Sequence, residues 1–516
     1  MAEAVIGPAT ANGLAPSPDE LFSRLVQRVC EAGAFVSPKI RRSALPPLTV
    51  PGIIASQPLR KPEEIIRIPT VLQLTLVAIQ ELGDELVEAV SAFASDDVRI
   101  ECPEVVSFVA KRLHSLQARG PCREDGKDGW HDATWLDLLL GMQLSADFRY
   151  MPHRRLIDDS NARRVLKPSP EVHNAEWNEA AYRDAHQTIT RQVSAEVRGP
   201  AFDLDRFVQS HLLLLTRTFG KTSSPEKSTV HCCVPVADMF NHSTAPNATW
   251  EFDSNGDFVV VVTRSVSPGE EVFISYGRDK SNVRLFRTYG FTIEPEVEPS
   301  WSFRVWPTLA REVYMQFLPE RERRKVLDLE IRRVDDTTRI ALQACDQNGH
   351  DPVEFLRALC THFRAQYEAD EPLQPALNAL RRARALDPSS SAWWRYGEEA
   401  AVQAFCSAMP SGSAGSRADR DFAQNALRVK MSEYLCLVAH IEAMDLISGA
   451  AQAESCLDRA SELRRPLLKA LQAARSTVAT LGQEAQAIPP SPSLSPGLLQ
   501  CQGMAVSSNS EASVAA

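Results

Sequence analysis

Two segments decide the fold: Val236-Ala237-Asp238-Met239-Phe240-Asn241-His242-Ser243 and, about thirty residues later, Gly269-Glu270-Glu271-Val272-Phe273-Ile274-Ser275-Tyr276-Gly277. An Asn-His pair or a Ser-Tyr-Gly triplet occurs by chance in many chains, so either one alone would most often be an ordinary loop. Their occurrence together, joined by β-rich sequence, is much rarer. These two segments are therefore the first candidates for the chemistry of this chain.

The sequence between the two segments predicts a β-hairpin. Two β-rich runs, Thr249 to Phe252 and Phe258 to Thr263, flank Asp253-Ser254-Asn255-Gly256-Asp257, and an Asn-Gly pair in this position is a strong hairpin signal. The turn lacks the full acidic spacing and the flanking helices of a calcium loop. A second turn, at Pro268-Gly269, predicts a short strand over Val272 to Ser275.

The preceding sequence changes in character along the chain. Residues 1 to 20 are rich in Ala, Pro and Gly and predict a flexible leader, whereas Leu21 to Ala34 has the apolar spacing of a helix. Short β-rich runs at Gly52 to Ala55 and Glu64 to Ile68 predict strands broken by prolines. Residues 76 to 210 have a mainly helical pattern.

Composition and charge exclude several classes of protein. The chain has 516 residues, 44% of them hydrophobic and 24% charged, which predicts two to four soluble folded units. Its net charge of -10 and pI near 5.7 disfavour binding along a nucleic-acid backbone. We find neither an apolar run long enough for a membrane span nor a targeting leader. Eleven scattered cysteines without a CxxC motif predict reduced thiols, no structural metal and a cytoplasmic protein, with the nucleus as the alternative.

The two opening segments, followed by Tyr289-Gly290-Phe291, resemble the SET methyltransferase fold. The helical insertion and the helical C-terminal pattern narrow this resemblance to the class of the Rubisco large-subunit lysine methyltransferase and the actin-histidine methyltransferase. The resemblance implies an α+β protein, with a β-rich SET fold split by helices and followed by an all-α substrate-binding domain. The expected divisions are a leader (1–20), a SET domain (21–299, with halves at about 48–75 and 211–299 around an insertion at about 76–210), a helical domain (300–481) and a disordered tail (482–516).

The resemblance also implies S-adenosyl-L-methionine as cofactor. The cofactor-binding residues that it implies are Glu63, Glu64, Ile65, Arg217, Asp238, Met239, Phe240, Asn241, His242, Tyr289, Gly290 and Phe291. The sequence departs from the family near the first strand, where Val50-Pro51-Gly52 keeps one glycine of the usual two. This departure predicts a different or weaker grip on the methionine end of the cofactor.

Tyr276 is the catalytic residue that the resemblance implies. A free phenol titrates near ~10, so we expect Tyr276 to orient the reacting groups rather than to act as a strong base. The same resemblance places Phe219, Ala237 and Tyr276 along the substrate channel. Actin-histidine members carry Trp and Asn at the positions of Ala237 and Phe219, so this apolar pair favours lysine over histidine as the target.

The expected partner is a non-histone protein substrate, bound by a monomer without metal, membrane or nucleic acid. Two alternatives stay open: a histidine methyltransferase of the same fold, and a SET-like module that binds a partner without turnover. The departure near Gly52 supports the second alternative. The presence of Asn241, His242 and Tyr276 opposes it.

Overall fold

The computed structural model describes residues 16–44, 51–94, 98, 100, 102–117, 133–142, 151–199, 202–221, 230–277, 280–293, 352–386, 404 and 417–450. Within these ranges the chain is a mixed α and β protein, as the sequence predicts. The strands are β1 (Phe35–Val36), β2 (Ile40–Ala44), β3 (Pro51–Ala55), β4 (Glu63–Ile68), β5 (Thr218–Lys221), β6 (Val230–Cys233), β7 (Asn241–His242), β8 (Ala248–Phe252), β9 (Phe258–Val262) and β10 (Phe273–Ile274). The helices are α1 (Pro18–Glu31), α2 (Leu76–Glu81), α3 (Glu85–Ser91), α4 (Pro103–Gln117), α5 (Trp135–Gly141), α6 (Pro152–Asp158), α7 (Ser160–Leu166), α8 (Glu171–Gln192), α9 (Ala195–Arg198), α10 (Leu204–Arg217), α11 (Asn282–Tyr289), α12 (Pro352–Glu368), α13 (Gln374–Leu386) and α14 (Arg417–Ala450).

The first helix begins earlier than the sequence pattern predicts. The side-chain oxygen of Ser17 accepts a hydrogen bond from the backbone of Glu20, and the Glu20 carboxylate accepts one from the backbone of Ser17. This capping box satisfies two backbone donors that would otherwise lack partners. Helix α1 therefore begins at Pro18, inside the expected leader, and residues 1–15 of that leader lie outside the described ranges.

A four-stranded antiparallel sheet in the order β1-β4-β9-β8 forms the scaffold. The predicted hairpin is confirmed: β8 and β9 pair from Ala248 and Val262 to Phe252 and Phe258. Asp253 closes the turn because its carboxylate accepts from the backbone of Asn255 and Asp257. The described helices α2 to α10 lie between β4 and β5, which confirms the mainly helical pattern there.

The chain changes from helix to strand earlier than the resemblance suggests. Arg217 ends α10, and Phe219 lies on β5, where it pairs with Cys232 of β6 in an antiparallel hairpin. The resemblance likens Leu215 to Phe219 to a helix segment of the family, so it predicts both residues on one helix. The β-rich run Val230 to Val236 predicts a longer strand, but β6 ends at Cys233, before the chain bends into a short 3-10 turn over Ala237–Met239.

The described C-terminal helices pack against the rest of the protein. Phe422, Ala426 and Val429 of α14 share a hydrophobic cluster with Val283 and Phe286 of α11. Helix α14 covers 425–444, the segment that most clearly resembles the helical domain of the family, and α13 agrees with the amphipathic helix that the pattern of 377–388 predicts. Residues 294–351, most of 387–416 and the expected tail at 482–516 lie outside the described ranges.

Two features of the described residues bear on membranes and metals. None of their helices combines the length and the apolar character that crossing a bilayer requires. The same residues bring together no group of three or more His, Cys, Asp or Glu side chains that could hold a metal ion.

Candidate functional site

The two segments quoted at the outset meet in a parallel pair of very short strands. Asn241 lies opposite Phe273, and His242 lies opposite Ile274. Buried Asn247 supports this pairing: its amide donates to the carbonyl of Glu271 at 2.8 Å, and its amide oxygen accepts from the backbone of Phe273 at 2.7 Å. A side chain that satisfies both a donor and an acceptor of a buried segment fixes that segment in place.

The turn that leads into this crossing is strained. Val236 is fully buried and adopts φ 69° and ψ -43°. A β-branched residue at positive φ is a rare conformation that only strong surrounding constraints maintain, and such strain clusters at functional sites. The strain marks the start of the segment that carries Asp238, Asn241 and His242.

Tyr276 lies directly after β10, with its side chain against the other segment. Its hydroxyl donates to the carbonyl of Phe240 at 2.8 Å, and its backbone N–H donates to Nδ1 of His242 at 3.1 Å. Burial raises the pKa of the Tyr276 phenol above its usual value. Tyr276 is therefore protonated at neutral pH, with its proton directed at Phe240 and its oxygen lone pairs available to accept.

His242 is held in one protonation state by the same contacts. Because Nδ1 accepts from a backbone N–H, the ring proton of the neutral form must be on Nε2. Burial, assisted by the charge of Lys280, lowers the pKa of His242. His242 is thus neutral near pH 7, and its Nε2–H is the donor that it can offer.

Three rings surround the phenol. Tyr276 packs at 4.8 Å from Tyr289 and 6.4 Å from Phe291, and the His242 ring lies 5.3 Å from Tyr276. The left-handed conformation of Gly290 (φ 81°) ends helix α11 and allows Tyr289 and Phe291 to contact the same phenol. These rings form a mostly aromatic wall that carries the hydroxyls of Tyr276 and Tyr289 and the imidazole of His242.

Lys280 extends across this wall. Its Nζ lies 5.8 Å from the centre of the Tyr289 ring. Burial, followed by the neighbouring charge of Arg284, lowers the pKa of Lys280 to about 8. The surroundings of Tyr289 therefore favour the neutral amine of a lysine more than water does.

Arg217 and Asp238 form an ion pair beneath the crossing. Nη1 of Arg217 donates to the Asp238 carboxylate at 3.1 Å and to the Asp238 carbonyl at 2.9 Å, and it lies 3.8 Å from the sulfur of Met239. The Asp238 side chain is only 1% exposed. Burial raises the pKa of Asp238, and the Arg217 charge opposes that rise. The pair holds the backbone that leads into Asn241.

Asn241, Gly52 and Glu271 form a second, polar part of the site. The amide nitrogen of Asn241 donates to Glu271 Oε1 at 2.7 Å and to the carbonyl of Pro51 at 3.3 Å. Because both partners are acceptors, the amide oxygen of Asn241 must point the other way, and among the described residues it accepts no hydrogen bond. A Cβ on Gly52 would lie 2.6 Å from this amide nitrogen and nearer still to Glu271 Oε1.

Three of the predicted cofactor-binding residues have side chains that contact residues outside the strand crossing. Glu63 pairs with Lys39 at 2.7 Å, and Glu64 pairs with Arg67 at 2.7 Å. Ile65 is fully buried in the core. The side chains of Glu63, Glu64 and Ile65 are thus engaged elsewhere, and the carbonyl of Ile65 accepts from the backbone of Ser37 at 2.9 Å.

The two residues predicted to line the substrate channel with Tyr276 are buried. Phe219 packs at 4.6 Å from Phe258 and 5.2 Å from Trp250, and the described ring contacts do not join it to Tyr276. Trp250, which packs against Phe219, also contacts the segment that ends in Tyr276, because its Nε1 donates to the carbonyl of Ser275 at 3.0 Å. Ala237 is fully buried within the turn before Asn241.

Sequence reasoning assigned no role to Glu271, Asn247 or Lys280. Glu271 lies in the quoted Gly-Glu-Glu stretch, where a carboxylate next to the apolar run Val272 to Ile274 was the available signal. Asn247 could have been found as a polar residue just before a predicted strand. The pairing of these residues with distant backbone is not visible in the local pattern.

The site therefore has two chemically different ends. At one end, the free amide oxygen of Asn241 and the carboxylate of Glu271 suit a ligand with positive charge and hydrogen-bond donors. At the other end, the rings around Tyr276 suit an alkyl chain or an uncharged amine. Such an arrangement can orient two reactants and exclude water between them.

The chain is similar to known proteins over part of its length. Residues 51–277 match the SET domain family. Among curated proteins of Schizosaccharomyces pombe, SET domain-containing protein 8 is 33% identical over 93 residues, 18% of this chain and 20% of its own length. Ribosomal lysine N-methyltransferase 4 of the same organism is 38% identical over 58 residues, 11% of this chain and 12% of its own length. A SET and MYND domain-containing protein of Dictyostelium discoideum is 25% identical over 141 residues, 25% of this chain and 40% of its own length. The chain thus spans between 12% and 40% of the length of these relatives.

Solved structures align over a larger part of the chain. A crystal structure of the SET domain of LSMT bound to lysine and AdoHcy covers 86% of this chain and 97% of its own, at 15% identity and a TM-score of 0.49. A structure of Rubisco LSMT bound to AdoMet covers 85% of this chain and 93% of its own, also at 15% identity and a TM-score of 0.49.

Proposed function

The chain carries a SET domain over residues 51–277, and on that premise we propose that it is an S-adenosylmethionine-dependent methyltransferase that modifies lysine in a non-histone protein. The observation that carries the proposal is the parallel pairing that brings the Asn241-His242 pair to the segment ending in Tyr276, whose backbone N–H donates to His242. Ribosomal lysine N-methyltransferase 4, one of the aligned relatives, has a name that indicates this chemistry.

The residues at the polar end suit the cofactor. S-adenosylmethionine has an ammonium group and a sulfonium centre, and its amine needs hydrogen-bond acceptors. The amide oxygen of Asn241 is such an acceptor, and Glu271 supplies a negative charge beside it. The absence of a Cβ at Gly52 leaves the room that this pair occupies.

When bound, the cofactor supplies an electrophilic methyl group. The hydroxyl of Tyr276 is already fixed by donation to the Phe240 carbonyl. Its oxygen can therefore accept from the target amine or from the polarised methyl hydrogens. Because its raised pKa keeps Tyr276 protonated at neutral pH, no phenolate is present to act as a base, so Tyr276 orients the reactants and does not remove a proton. This agrees with the role expected from the sequence.

A lysine target must lose its proton before it can react. The lowered pKa of Lys280, about 8, beside the Tyr289 ring supports the proposal that these rings favour the neutral amine. A substrate lysine placed against the same wall would lose hydration in the same way. The small, buried Ala237 is the second argument for lysine, since histidine-modifying members of the class carry Trp there.

We also propose that the C-terminal helices bind the protein substrate. Asn425 of α14 lies at the edge of the site: its amide oxygen accepts from the Thr292 hydroxyl at 2.7 Å, and its amide nitrogen donates weakly to the Gly290 carbonyl at 3.5 Å. Both contacts lie next to Phe291. A substrate held on these helices would therefore lie close to the ring wall.

The test is incubation of the purified chain with tritiated S-adenosylmethionine and a soluble lysate, beside Tyr276→Phe. We expect a labelled protein whose label depends on Tyr276, and mass spectrometry should find methyl-lysine. Phenylalanine keeps the ring packing, so the variant should keep its cofactor Kd within about threefold and lose about a hundredfold or more in turnover.

Three results would contradict parts of the proposal. Methyl-histidine alone would reverse the choice of target residue. Unchanged turnover in Tyr276→Phe would remove Tyr276 from the reaction. A wild-type chain that binds no cofactor in calorimetry would overturn the enzyme and favour a SET-like binding module.

A further inference from the structure

The segment after helix α11 is closed back onto the start of that helix by an asparagine. Asn282, the first residue of α11, is fully buried. Its amide oxygen accepts from the backbone N–H of Ile293 at 2.7 Å, and its amide nitrogen donates to the Ile293 carbonyl at 3.0 Å. A side chain that satisfies both a donor and an acceptor of one residue fixes the backbone there. The far end of the segment from Gly290 to Ile293 is thus anchored.

A second asparagine, on a different helix, holds the middle of this segment. The amide oxygen of Asn425 in α14 accepts from the Thr292 hydroxyl at 2.7 Å, and its amide nitrogen donates weakly to the Gly290 carbonyl at 3.5 Å. Gly290 and Thr292 are the two neighbours of Phe291 in the chain. Asn425 therefore bridges the residue that contributes one ring to the wall around Tyr276.

Helix α14 is itself held against α11 by apolar packing. Phe422 and Ala426 of α14 share a hydrophobic cluster with Val283 and Phe286 of α11. The ring centres of Phe422 and Phe286 are 5.8 Å apart. Both α14 residues lie within one helical turn of Asn425. The packing therefore fixes the position from which Asn425 contacts the segment.

The ring of Phe291 contacts three other rings at long range. Its centre lies 6.1 Å from Tyr289, 6.2 Å from His242 and 6.4 Å from Tyr276. Aromatic pairs in proteins have centres about 4.5–7 Å apart, so these three contacts are at the loose end of that range. Such contacts allow the ring to follow its backbone, and the backbone is what the two asparagines hold.

Resting on the function proposed above, we propose that Asn425 is a positioning residue for methyl transfer: through its bridge across Phe291, helix α14 holds the ring wall in place beside Tyr276. The C-terminal helices then set how fast a bound substrate reacts, in addition to holding it. Groups that orient reactants are sensitive to small displacements, and a shift of about 1 Å can cost about a hundredfold in rate.

The test measures label transfer from saturating tritiated S-adenosylmethionine to the proteins of a soluble lysate by the purified full-length chain. A dilution series of one lysate gives an apparent maximal rate and a half-saturating lysate concentration for each variant. Asn425→Ala removes both hydrogen bonds to the segment. We expect its apparent maximal rate to fall about tenfold and its half-saturating concentration to change less than about threefold.

Two further variants make the result specific. Tyr434→Phe is the matched control, because it removes a hydrogen bond from the same helix to Glu368 at 3.1 Å without touching the segment; its maximal rate should stay within about twofold of the wild type. Thr292→Val removes the hydroxyl from the other side of the 2.7 Å bond and keeps the shape of the side chain. It should also slow the reaction, and it keeps the test available should Asn425→Ala fail to fold.

The double variant Asn425→Ala with Thr292→Val tests whether the two side chains act through one contact. It should be about as slow as Asn425→Ala alone, because both changes break the same hydrogen bond. Losses that multiply would show that the two residues act independently, which would contradict the bridge.

The other failures can be told apart. An unchanged maximal rate in Asn425→Ala would overturn the inference, and a raised half-saturating concentration at that unchanged rate would make Asn425 a substrate-binding residue instead. Equal slowing by Tyr434→Phe would also overturn it, since any loosening of α14 would then have the same effect. A wild-type chain that transfers no label would overturn the proposed function, and with it this inference.

Discussion

Arg217 and Asp238 show how one ion pair can hold a functional segment. The Asp238 side chain is almost fully buried, whereas that of Arg217 is 26% exposed. A buried ion pair adds little net stability, because desolvation offsets the attraction, but removal of one partner leaves a costly unpaired charge. The contribution of this ion pair to stability is therefore measured best by replacing one of its two residues.

We predict that Arg217→Leu lowers the free energy of unfolding by about 3 kcal/mol, because it leaves the Asp238 carboxylate buried and unpaired. Urea denaturation followed by circular dichroism measures this loss. The double variant Arg217→Leu with Asp238→Asn should be more stable than Arg217→Leu alone, since the unpaired charge is gone. If the double variant is as unstable as the sum of the single changes, the two side chains do not interact.

The local elements around the site depend on a close approach between strand β3 and the strand crossing. Strand β3 also hydrogen-bonds to the second quoted segment, where Val272 N–H donates to the carbonyl of Ile53 at 2.8 Å. Gly52 lies in this strand at a point where a side chain has no room. A displacement of strand β3 would therefore also displace Asn241 and Glu271.

We predict that Gly52→Ala weakens S-adenosylmethionine binding by about tenfold or more, because the new methyl group displaces Asn241 and Glu271. Calorimetry measures this change. Gly33→Ala is the control: Gly33 has φ 98° and open space around it, so alanine adds only backbone strain. Both variants should lower Tm, and only Gly52→Ala should change the Kd. Equal Kd values in the two variants would contradict the steric role of Gly52.

The molecule as a whole is joined through a buried polar network between the insertion and the C-terminal helices. The carboxylate of Glu433 in α14 accepts from the Tyr367 hydroxyl at 2.7 Å and from the Ser169 hydroxyl at 2.9 Å. Glu171 forms an ion pair with Arg287 of α11 nearby. These contacts connect the helices before the site, the helix after it and the C-terminal region.

This network predicts a dependence of stability on pH. Burial and the nearby charge of Glu171 raise the pKa of Glu433 to about 8, well above the ~4.3 of an unfolded glutamate. Between these values the native state binds more protons than the unfolded state. The stabilisation associated with this proton is therefore complete below pH ~4.3 and is lost as the pH rises through about 8.

We predict that Glu433→Gln removes this dependence. Relative to the wild type, the variant should gain Tm steadily between pH 5 and pH 8, because the wild type loses up to about 1.4 kcal/mol of stability per pH unit in that range. Scanning calorimetry at several pH values measures it. Tyr434→Phe is the control, since it removes a hydrogen bond from the same helix to Glu368 at 3.1 Å without touching Glu433. A Tm difference independent of pH would contradict the assignment.

Local signals predicted much of this protein correctly. The Asn255-Gly256 turn, the strands at 51–55 and 63–68 and the helical pattern of α14 depend on neighbours in sequence, and local propensity carries that information. The start of α1 was missed by three residues, because the capping box at Ser17 outweighs the apolar pattern. The change from helix to strand at Thr218 was missed because β5 depends on pairing with β6.

The sequence by itself determined which residues are candidates for chemistry: Asn241, His242 and Tyr276 lie in segments that resemble the SET family. Only the tertiary structure decided what each one faces. The proton on Tyr276 is directed at Phe240, the amide nitrogen of Asn241 at Glu271, and Phe219 packs into the core. The physical reason is that hydrogen bonds and close contacts depend on distances in space, whereas local sequence patterns report only on neighbours along the chain.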